Sequence, residues 1–274
     1  MNTVREKAER AAAIVSKARR VLFLTSAGMS ADSHIPTFRD KEGYWKNFPP
    51  FRKKGLEAQD LASPWAFRNV LPHAWAFYEW RRRNAHENKP HRGYEIINRW
   101  MVERFEDAFI HTTNTDGYHL RSGCAADRVM EVHGSMWRLQ CLDVCTHDFW
   151  DEATVPLCDL DPDTMQASGF PTCPRCRAIA RPHILMFGDG EYCGHPEQEE
   201  NFRRFMRQPV DAAILVGSSG AVPTNDFIAL GLLRAGTAVI TINPDPSANS
   251  IARTEYFLPM KSREAFEALD AGLE

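Results

Sequence analysis

Four of the seven cysteines are spaced like the ligands of a metal ion. One pair is separated by three residues and the other by two, and 27 residues lie between the pairs. Each pair can present two thiolates to one tetrahedral ion, and a zinc site filled in this way holds a fold together without taking part in catalysis. The predicted zinc ligands are Cys141, Cys145, Cys173 and Cys176. The alternatives are unrelated buried cysteines, or a site in which Cys158 or His147 replaces one ligand.

Small residues follow a short apolar run at residues 21–24 and form a turn that a ligand can approach. Residues 25–28 have small side chains, so the backbone can turn tightly and a flat or anionic group can reach it. Ile35, Pro36 and Arg39 then supply an apolar wall, a rigid turn and a fixed cation, which suit an aromatic ring beside a phosphate. An ordinary strand-to-helix loop is the alternative, because the full G-x-G-x-x-G pattern is absent. The predicted ligand contacts are Ser26, Ala27, Gly28, Ile35, Phe38 and Arg39.

Tyr78 and Arg81 are three residues apart, so they share one face if their segment is helical. A phenol and a guanidinium placed in this way can converge on a carboxylate. A guanidinium in an otherwise apolar pocket is unfavourable unless an anion accompanies it. The pair therefore predicts a site for a carboxylate, and the alternative is a surface pair beside the arginine run at residues 81–83.

The elements that must position these residues alternate along the chain. Apolar runs predict strands at residues 21–24, 108–112, 212–217 and 238–243. Apolar periodicity predicts helices at residues 5–20, 94–105 and 225–235, with Gly236 as a cap, and a mostly helical segment at 60–84 interrupted near Pro64 and Pro72. Such alternation predicts an α/β fold with a parallel sheet and helices on both faces. The ligand should then lie beyond the carboxyl ends of the strands.

Composition excludes several classes of protein. The chain has 274 residues, 43% of them hydrophobic, which is enough for a sizeable core. Its formal net charge of -3 and pI near 6.4 argue against direct binding of nucleic acid or of an anionic membrane surface. No apolar run is long enough to span a bilayer, and the charged N-terminal residues lack the apolar core of a secretory signal. We therefore expect a globular cytoplasmic protein without a disulfide framework.

Six ordered segments together resemble those of the sirtuins, the NAD-dependent protein lysine deacylases. They are residues 21–44, 112–116, 132–135, 181–189, 217–219 and 242–245, so the resemblance covers most of the chain. It implies NAD as co-substrate, a Rossmann-like NAD-binding domain and a small domain that combines a zinc ribbon with a helical insertion. The implied NAD-binding domain comprises residues 1–40, 106–135 and 190–274. The implied small domain comprises residues 41–105 and 136–189.

The resemblance also implies roles for individual residues. In sirtuins the amide oxygen of an acyl-lysine attacks the ribose carbon of NAD as nicotinamide leaves, and a histidine then takes a proton from a ribose hydroxyl. His133 matches that base, and an ordinary pKa of about 6.5 suits it. Asn114 and Asp116 match the residues around nicotinamide and its ribose, although turn formation is an alternative role. Further NAD contacts are implied at Thr113, Gly217, Ser218, Asn243 and Asp245.

The implied partner is an acylated lysine in a protein or peptide. Ile184, Phe187 and Gly188 match the segment that pairs with the substrate peptide as a strand. Tyr78 and Arg81 match the Tyr-x-x-Arg of the class III branch, and Ala62 matches the small residue that widens its acyl pocket. This branch is known for removing succinyl and malonyl groups. The resemblance therefore implies a preference for these groups over acetyl.

Three residues depart from the family pattern near the expected NAD site. Ser26 and His34 replace glycines, and Thr113 replaces a glutamine. A side chain at position 34 can close the turn, and a threonine reaches less far toward the ribose than a glutamine. Slow or redirected catalysis is therefore open, with ADP-ribosyl transfer, deacylation of a small molecule or a non-catalytic NAD-binding module as the alternatives.

Overall fold

The computed structural model describes residues 3–37, 44, 48–248 and 254–273 of the chain. Its strands are β1 (Arg20–Thr25), β2 (Asp107–Thr112), β3 (Val129–Glu131), β4 (Gly134–Cys141), β5 (Phe149–Asp151), β6 (Asp159–Asp161), β7 (Gln166–Ser168), β8 (Ala180–Ile184), β9 (Ala212–Val216), β10 (Ala238–Ile242) and β11 (Tyr256–Leu258). Its α-helices are α1 (Val4–Lys17), α2 (Ala27–Ser30), α3 (Pro49–Lys54), α4 (Ala58–Leu61), α5 (Pro64–Asn69), α6 (Leu71–Glu87), α7 (Arg92–Glu103), α8 (Tyr118–Arg121), α9 (Pro196–Phe205), α10 (Thr224–Arg234) and α11 (Ser262–Ala271). None of the described helices is long and apolar enough to cross a membrane.

Six strands form one parallel sheet in the order β11-β10-β9-β1-β2-β3. Side chains alternate along β1, so Val21 and Phe23 pack against one layer while Leu22 and Leu24 pack against the other. Helices cover both faces, as the sequence predicts. The chain leaves β1 toward β2 and returns on the opposite side at β9, so the order of strands reverses beside β1. Ligands of open α/β sheets bind at such a reversal.

Proline determines where two helices of the insertion begin. Pro64 lies in the first turn of α5 and Pro72 in the first turn of α6, positions that need no backbone N–H donor. The Ser63 hydroxyl also accepts a hydrogen bond from the N–H of Ala66 at 3.2 Å and caps α5. The predicted interruptions near these two prolines are therefore confirmed.

The segment between the cysteine pairs is more ordered than the solvated loop that its polar composition predicts. It contains β5, β6 and β7, each of three residues, and β5 joins β4 and β8 in an antiparallel sheet with the order β5-β4-β8. Cys158, Met165 and Ala167 are buried there. Strands this short carry almost no periodic signal, so sequence patterns did not indicate them.

Arginines of α6 hold this segment against the helix. Arg82 is fully buried and donates hydrogen bonds to the main-chain oxygens of Met136, Glu152 and Thr154. Arg83 donates to the fully buried carboxylate of Glu79 and to the main-chain oxygen of Cys158, and Glu79 also accepts from the Leu157 N–H. Arg82 and Arg83 therefore form an internal clamp and do not belong to a solvated basic patch.

Candidate active site

The ends of neighbouring strands lie in one row. Thr25, the last residue of β1, pairs with Thr112 of β2 and with Val216 of β9, and Val216 pairs with Ile242 of β10. The residues that follow these strand ends therefore meet at one edge of the sheet. They are Ser26, Thr113, Gly217 and Asn243, all predicted to bind the dinucleotide.

Two glycines permit close contact between the turns after β1 and β9. The Gly28 N–H donates to the Gly217 oxygen at 3.1 Å. A Cβ atom on Gly28 would lie 2.6 Å from the Gly217 Cα, and one on Gly217 would lie 2.4 Å from the Gly28 Cα. Gly217 also has a φ of +63°, a conformation that costs other residues about 1 kcal/mol or more. Both positions therefore require glycine for a steric reason.

Asn114 and Asp116 are buried after β2 and share a hydrogen-bond network through Ser30. The Asn114 Nδ2 donates to the Ser30 Oγ at 2.9 Å and to the Ser26 main-chain oxygen at 3.1 Å. The Ser30 hydroxyl donates to Asp116 Oδ2 at 2.6 Å, and the Tyr118 N–H donates to Asp116 Oδ1 at 3.0 Å. Burial raises the pKa of Asp116, while the hydrogen bonds from Ser30 and Tyr118 lower it. These bonds fix two hydrogen-bond acceptors, the Asn114 side-chain oxygen and the Asp116 carboxylate, in an arrangement that suits an amide ligand.

His133 is half-buried two residues beyond β3, the strand that lies beside β2. Burial lowers the pKa of its imidazole, and a hydrogen bond to the backbone of Thr113 partly offsets this effect. The ring is therefore neutral near pH 7 and can accept a proton. Its main-chain oxygen accepts from the Leu185 N–H at 3.0 Å, so the residues predicted to bind substrate peptide are attached directly to the predicted base.

The segment after β8 has the alternating exposure of an extended edge. Leu185 and Phe187 are exposed, whereas Ile184 and Met186 are buried. The Phe187 N–H donates to the Ala62 oxygen at 2.9 Å, which places two predicted substrate contacts side by side. Gly188 follows with a φ of +68°.

A buried ion pair fixes both ends of this segment. Arg181 and Asp189 have no exposed side-chain surface, and their charged atoms are 2.8 Å apart. Arg181 also donates to the Ile184 oxygen at 3.2 Å. Because a charge buried alone is strongly unfavourable, we expect loss of either partner to disorder the segment.

Tyr78 and Arg81 lie on one face of α6 beside this site, as their spacing predicts. The Tyr78 side chain is fully buried, and within the described residues its hydroxyl makes no hydrogen bond of regular geometry, although the Arg81 guanidinium is close enough to lower its pKa. The Arg81 guanidinium lies 5.3 Å from the Tyr78 ring centre and donates to Thr115 Oγ1 at 3.1 Å. Burial raises the pKa of Tyr78, and the Arg81 charge acts in the opposite direction. Arg81 thus connects the predicted carboxylate site to the loop that holds Asn114 and Asp116.

The four predicted zinc ligands lie together. All four Sγ atoms are within 4.8 Å of one another, with Cys141 3.5 Å from Cys176 and Cys145 3.6 Å from Cys173. Thiolates bound at about 2.3 Å around a tetrahedral zinc ion are about 3.8 Å apart, so the residues fit the ion. Burial opposes ionisation of Cys173, but N–H groups of Cys176 and Arg175 more than offset it and lower its pKa to about 7. The alternative ligands Cys158 and His147 are outside this cluster.

Comparison with known proteins agrees with this geometry. The sequence profile of the Sir2 family matches residues 26–224. The chain belongs to the Sir2 family. A relative from Aeropyrum pernix is 33% identical over 263 residues, covering 96% of this chain and 96% of the relative. A second relative, from Deinococcus radiodurans, is 36% identical over 243 residues, covering 86% of this chain and 87% of the relative. Both relatives are named NAD-dependent protein deacylase.

A solved structure shares the fold of this Sir2-family chain. It is a Sir2 homologue in complex with NAD, with a TM-score of 0.77 and 24% sequence identity. The match covers 96% of this chain and 93% of that one. At this identity the likeness establishes the common architecture, and the roles of individual residues rest on the geometry described above.

Two of the three departures from the family pattern contact each other. The Thr113 hydroxyl donates to the Ser26 Oγ at 3.1 Å, and the buried Asn225 donates to the same oxygen at 3.2 Å. His34 has a φ of +59°, a conformation that glycine adopts without strain, and its side chain is exposed. Ser26 and Thr113, which replace a glycine and a glutamine of the family pattern, therefore contact each other, while the exposed side chain of His34 affects only its own turn.

The remaining predicted contacts have different outcomes. Asn243 donates to the Ser218 oxygen at 2.6 Å, and the Asp245 Oδ1 accepts from the Ser247 N–H at 2.8 Å, which places these residues at the ends of β9 and β10. Ala27 begins α2, and Ile35 is half-buried against the main core. Phe38 and Arg39 lie outside the described residues.

Sequence reasoning missed Ser30, Tyr94, His111 and Asn225. Ser30 contacts Asp116, and Tyr94 contacts Ser30 at 2.8 Å. His111 contacts Asn225 at 2.7 Å. The sequence did offer one signal: His111 lies inside a mostly apolar strand. A polar residue in a buried strand needs a hydrogen-bond partner, so a polar partner for His111 could have been expected.

Proposed function

We propose that this chain is an NAD-dependent protein lysine deacylase. The observation that carries the proposal is the meeting of Asn114, Asp116 and His133 at the carboxyl edge of the sheet, beside the glycine contact between the turns after β1 and β9. The names of the two relatives support it. The acylated lysine of a protein or peptide is the proposed partner, with residues 184–188 as its docking segment.

The proposed mechanism assigns one task to each group of residues. Bound NAD supplies the electrophilic ribose carbon that the acyl oxygen of the substrate attacks. The turns at Gly28 and Gly217 let the dinucleotide approach the backbone. Asn114 and Asp116 orient the nicotinamide end, because their amide and carboxylate are already fixed by Ser30. His133, neutral near pH 7, takes the proton from a ribose hydroxyl.

The zinc ion has a structural role in this proposal. The four cysteines would bind it at the far end of the paired strands β4 and β8, and β8 leads directly into the peptide segment. A site with four thiolate ligands has no open position for water or substrate. The ion therefore stabilises the ribbon and takes no part in the reaction.

The proposed acyl preference is for groups that end in a carboxylate. The hydroxyl of Tyr78 can donate to such a group, and the Arg81 guanidinium beside it can neutralise the charge. An acetyl group has no carboxylate with which the Tyr78 hydroxyl or the Arg81 charge could interact. Because hydrogen bonds to charged groups contribute about 1.5–3 kcal/mol, we expect a succinyl over acetyl preference of roughly ten- to a hundredfold in kcat/KM.

Mass spectrometry of matched succinyl-lysine and acetyl-lysine peptides, with and without NAD, tests the proposal. We expect NAD-dependent removal of succinyl, slower removal of acetyl, and no removal by His133→Ala. His86→Ala is the matched control, because His86 is exposed on α6. NAD binding without loss of either acyl group would contradict the deacylase proposal, and ADP-ribose attached to protein would favour ADP-ribosyl transfer.

A further inference from the structure

A buried amide beneath the first turn has a fixed orientation. The Asn225 side chain is fully buried, and its Nδ2 donates to the Thr25 main-chain oxygen at 2.8 Å and to the Ser26 Oγ at 3.2 Å. A main-chain oxygen can only accept, so the amide cannot be flipped. Its Oδ1 therefore accepts from His111 Nδ1 at 2.7 Å, which fixes the proton on that nitrogen. The network thus presents an N–H donor to Ser26.

The Ser26 oxygen receives a second donor on its other side. The Thr113 hydroxyl donates to it at 3.1 Å. A serine oxygen has two lone pairs, and here each faces a donor. The Thr25 main-chain oxygen also lies 3.4 Å from Thr113 Oγ1, but the Ser26 oxygen is the nearer acceptor. When Thr113 donates to Ser26, the Ser26 hydrogen points away from both Asn225 and Thr113. Ser26 is only 8% exposed, so this is a nearly buried donor with its direction set by its neighbours.

The surrounding turn has few other donors to offer a ligand. The Ser26 N–H donates to the Val216 oxygen at 2.9 Å, and the Gly28 N–H donates to the Gly217 oxygen at 3.1 Å. In Rossmann folds the first turn after β1 faces the pyrophosphate of a bound dinucleotide. Because two amides of this turn are occupied by the β9 turn, the donors left at that place are the Ser26 hydroxyl and the Ala27 N–H, which has no backbone acceptor among the described residues.

We propose that the Ser26 hydroxyl donates a hydrogen bond to a pyrophosphate oxygen of the bound dinucleotide, and that Asn225 and Thr113 aim it there. The inference rests on the proposed use of NAD. It makes Ser26 a binding residue and its two neighbours positioning residues. The same geometry argues against Ser26 as a nucleophile, because the two described groups that contact its oxygen are the Asn225 amide and the Thr113 hydroxyl, and neither is a base that could take its proton.

Isothermal titration calorimetry of the zinc-loaded full chain with ADP-ribose, ADP and adenosine tests the inference. We expect Ser26→Ala to weaken ADP-ribose and ADP alike, by about ten- to a hundredfold, and to leave adenosine unchanged. Ser16→Ala is the control, since Ser16 is an exposed serine of α1 with a local hydrogen bond to Ala13. Thermal unfolding without ligand checks that each variant is folded, and Ser26→Gly is the second variant if Ser26→Ala is not.

Three outcomes would overturn the inference. Equal affinities in wild type and both Ser26 variants would show that the hydroxyl makes no contact. A loss for ADP-ribose but not for ADP would place the acceptor on the ribose. If Thr113→Val weakens binding in the Ser26→Ala background as much as it does in the wild type, Thr113 makes its own contact, because a residue that only aims the Ser26 hydroxyl has no effect once that hydroxyl is gone. Failure of the wild type to bind ADP-ribose or ADP is a different result, which refutes the proposed function itself.

Discussion

Removal of the Tyr78 hydroxyl separates substrate recognition from stability. In the free protein this buried hydroxyl makes no hydrogen bond of regular geometry among the described residues, so the folded state bears the cost of an unsatisfied polar group. Tyr78→Phe deletes the oxygen and keeps the ring, which packs against Phe67 and Phe77. We expect the variant to lose activity on acidic acyl groups without losing stability.

The expected changes in stability and in activity follow from what surrounds the hydroxyl without and with a bound substrate. An unsatisfied buried polar atom costs about 1–3 kcal/mol, so the free energy of unfolding of Tyr78→Phe should stay equal to that of the wild type or rise by about 1 kcal/mol. The lost hydrogen bond to the substrate carboxylate should lower kcat/KM for a succinyl peptide about tenfold. The value for an acetyl peptide, which offers no carboxylate, should not change.

Urea unfolding and steady-state kinetics on matched peptides measure both quantities. Tyr118→Phe is the stability control, because that fully buried hydroxyl donates to the Ala85 oxygen and its removal should cost about 1 kcal/mol. Arg81→Met should lower the succinyl rate further, with the exposed Arg92→Met as its control. Equal loss of succinyl and acetyl activity in Tyr78→Phe, or a loss of stability as in Tyr118→Phe, would refute the reasoning.

Four further predictions concern the rest of the molecule. Removal of zinc by a chelator should lower the melting temperature, and addition of zinc should restore it. An unchanged melting curve would contradict the structural site. Gly217→Ala should abolish ADP-ribose binding in calorimetry, because its Cβ would lie 2.4 Å from backbone atoms; normal affinity would show that the two turns can separate. His34→Gly should leave stability equal or raise it by up to about 1 kcal/mol in urea unfolding, since glycine removes the strain of a positive φ; a clear loss would reveal a contact of the side chain. Burial lowers the pKa of His111 and His183 to about 4 and of His119 to about 3. The contribution of these neutral histidines to the free energy of unfolding is therefore full above pH 6.5 and falls toward pH 4 by roughly 1 kcal/mol per pH unit for each histidine. Thermal unfolding between pH 7 and pH 5 with no such fall would exclude this linkage.

The sequence predicted the parts of the fold that carry long patterns. β1, β2, β9 and β10 have five or six residues each, most of them apolar, and all four were predicted. β3 and β11 have three residues each and were missed, although β3 brings His133 to the site. Short strands form because neighbouring strands offer hydrogen bonds, and that information is tertiary.

The residues of the candidate site also divide into those that the sequence predicted and those that depend on tertiary contacts. Glycines and motif residues such as Gly217 and Asn114 were found from small-residue turns and family resemblance. The partners that fix them, such as Ser30 and Asn225, come from distant elements, and no spacing rule relates residue 225 to residue 26. The boundaries of the two domains and the catalytic roles of His133, Asn114 and Asp116 stay predictions until they are tested.

The clamp formed by Arg82 has a consequence for redesign of the ribbon. All three of its acceptors are main-chain oxygens, at residues 136, 152 and 154, and every amino acid carries that group. The anchorage therefore depends mainly on the path of the loop, which the Glu152 carboxylate helps to set by accepting from the Thr154 N–H at 2.9 Å. Residues 153 and 154 can be exchanged for others, or carry a grafted epitope or label, while Arg82 itself tolerates no substitute that lacks a forked set of donors.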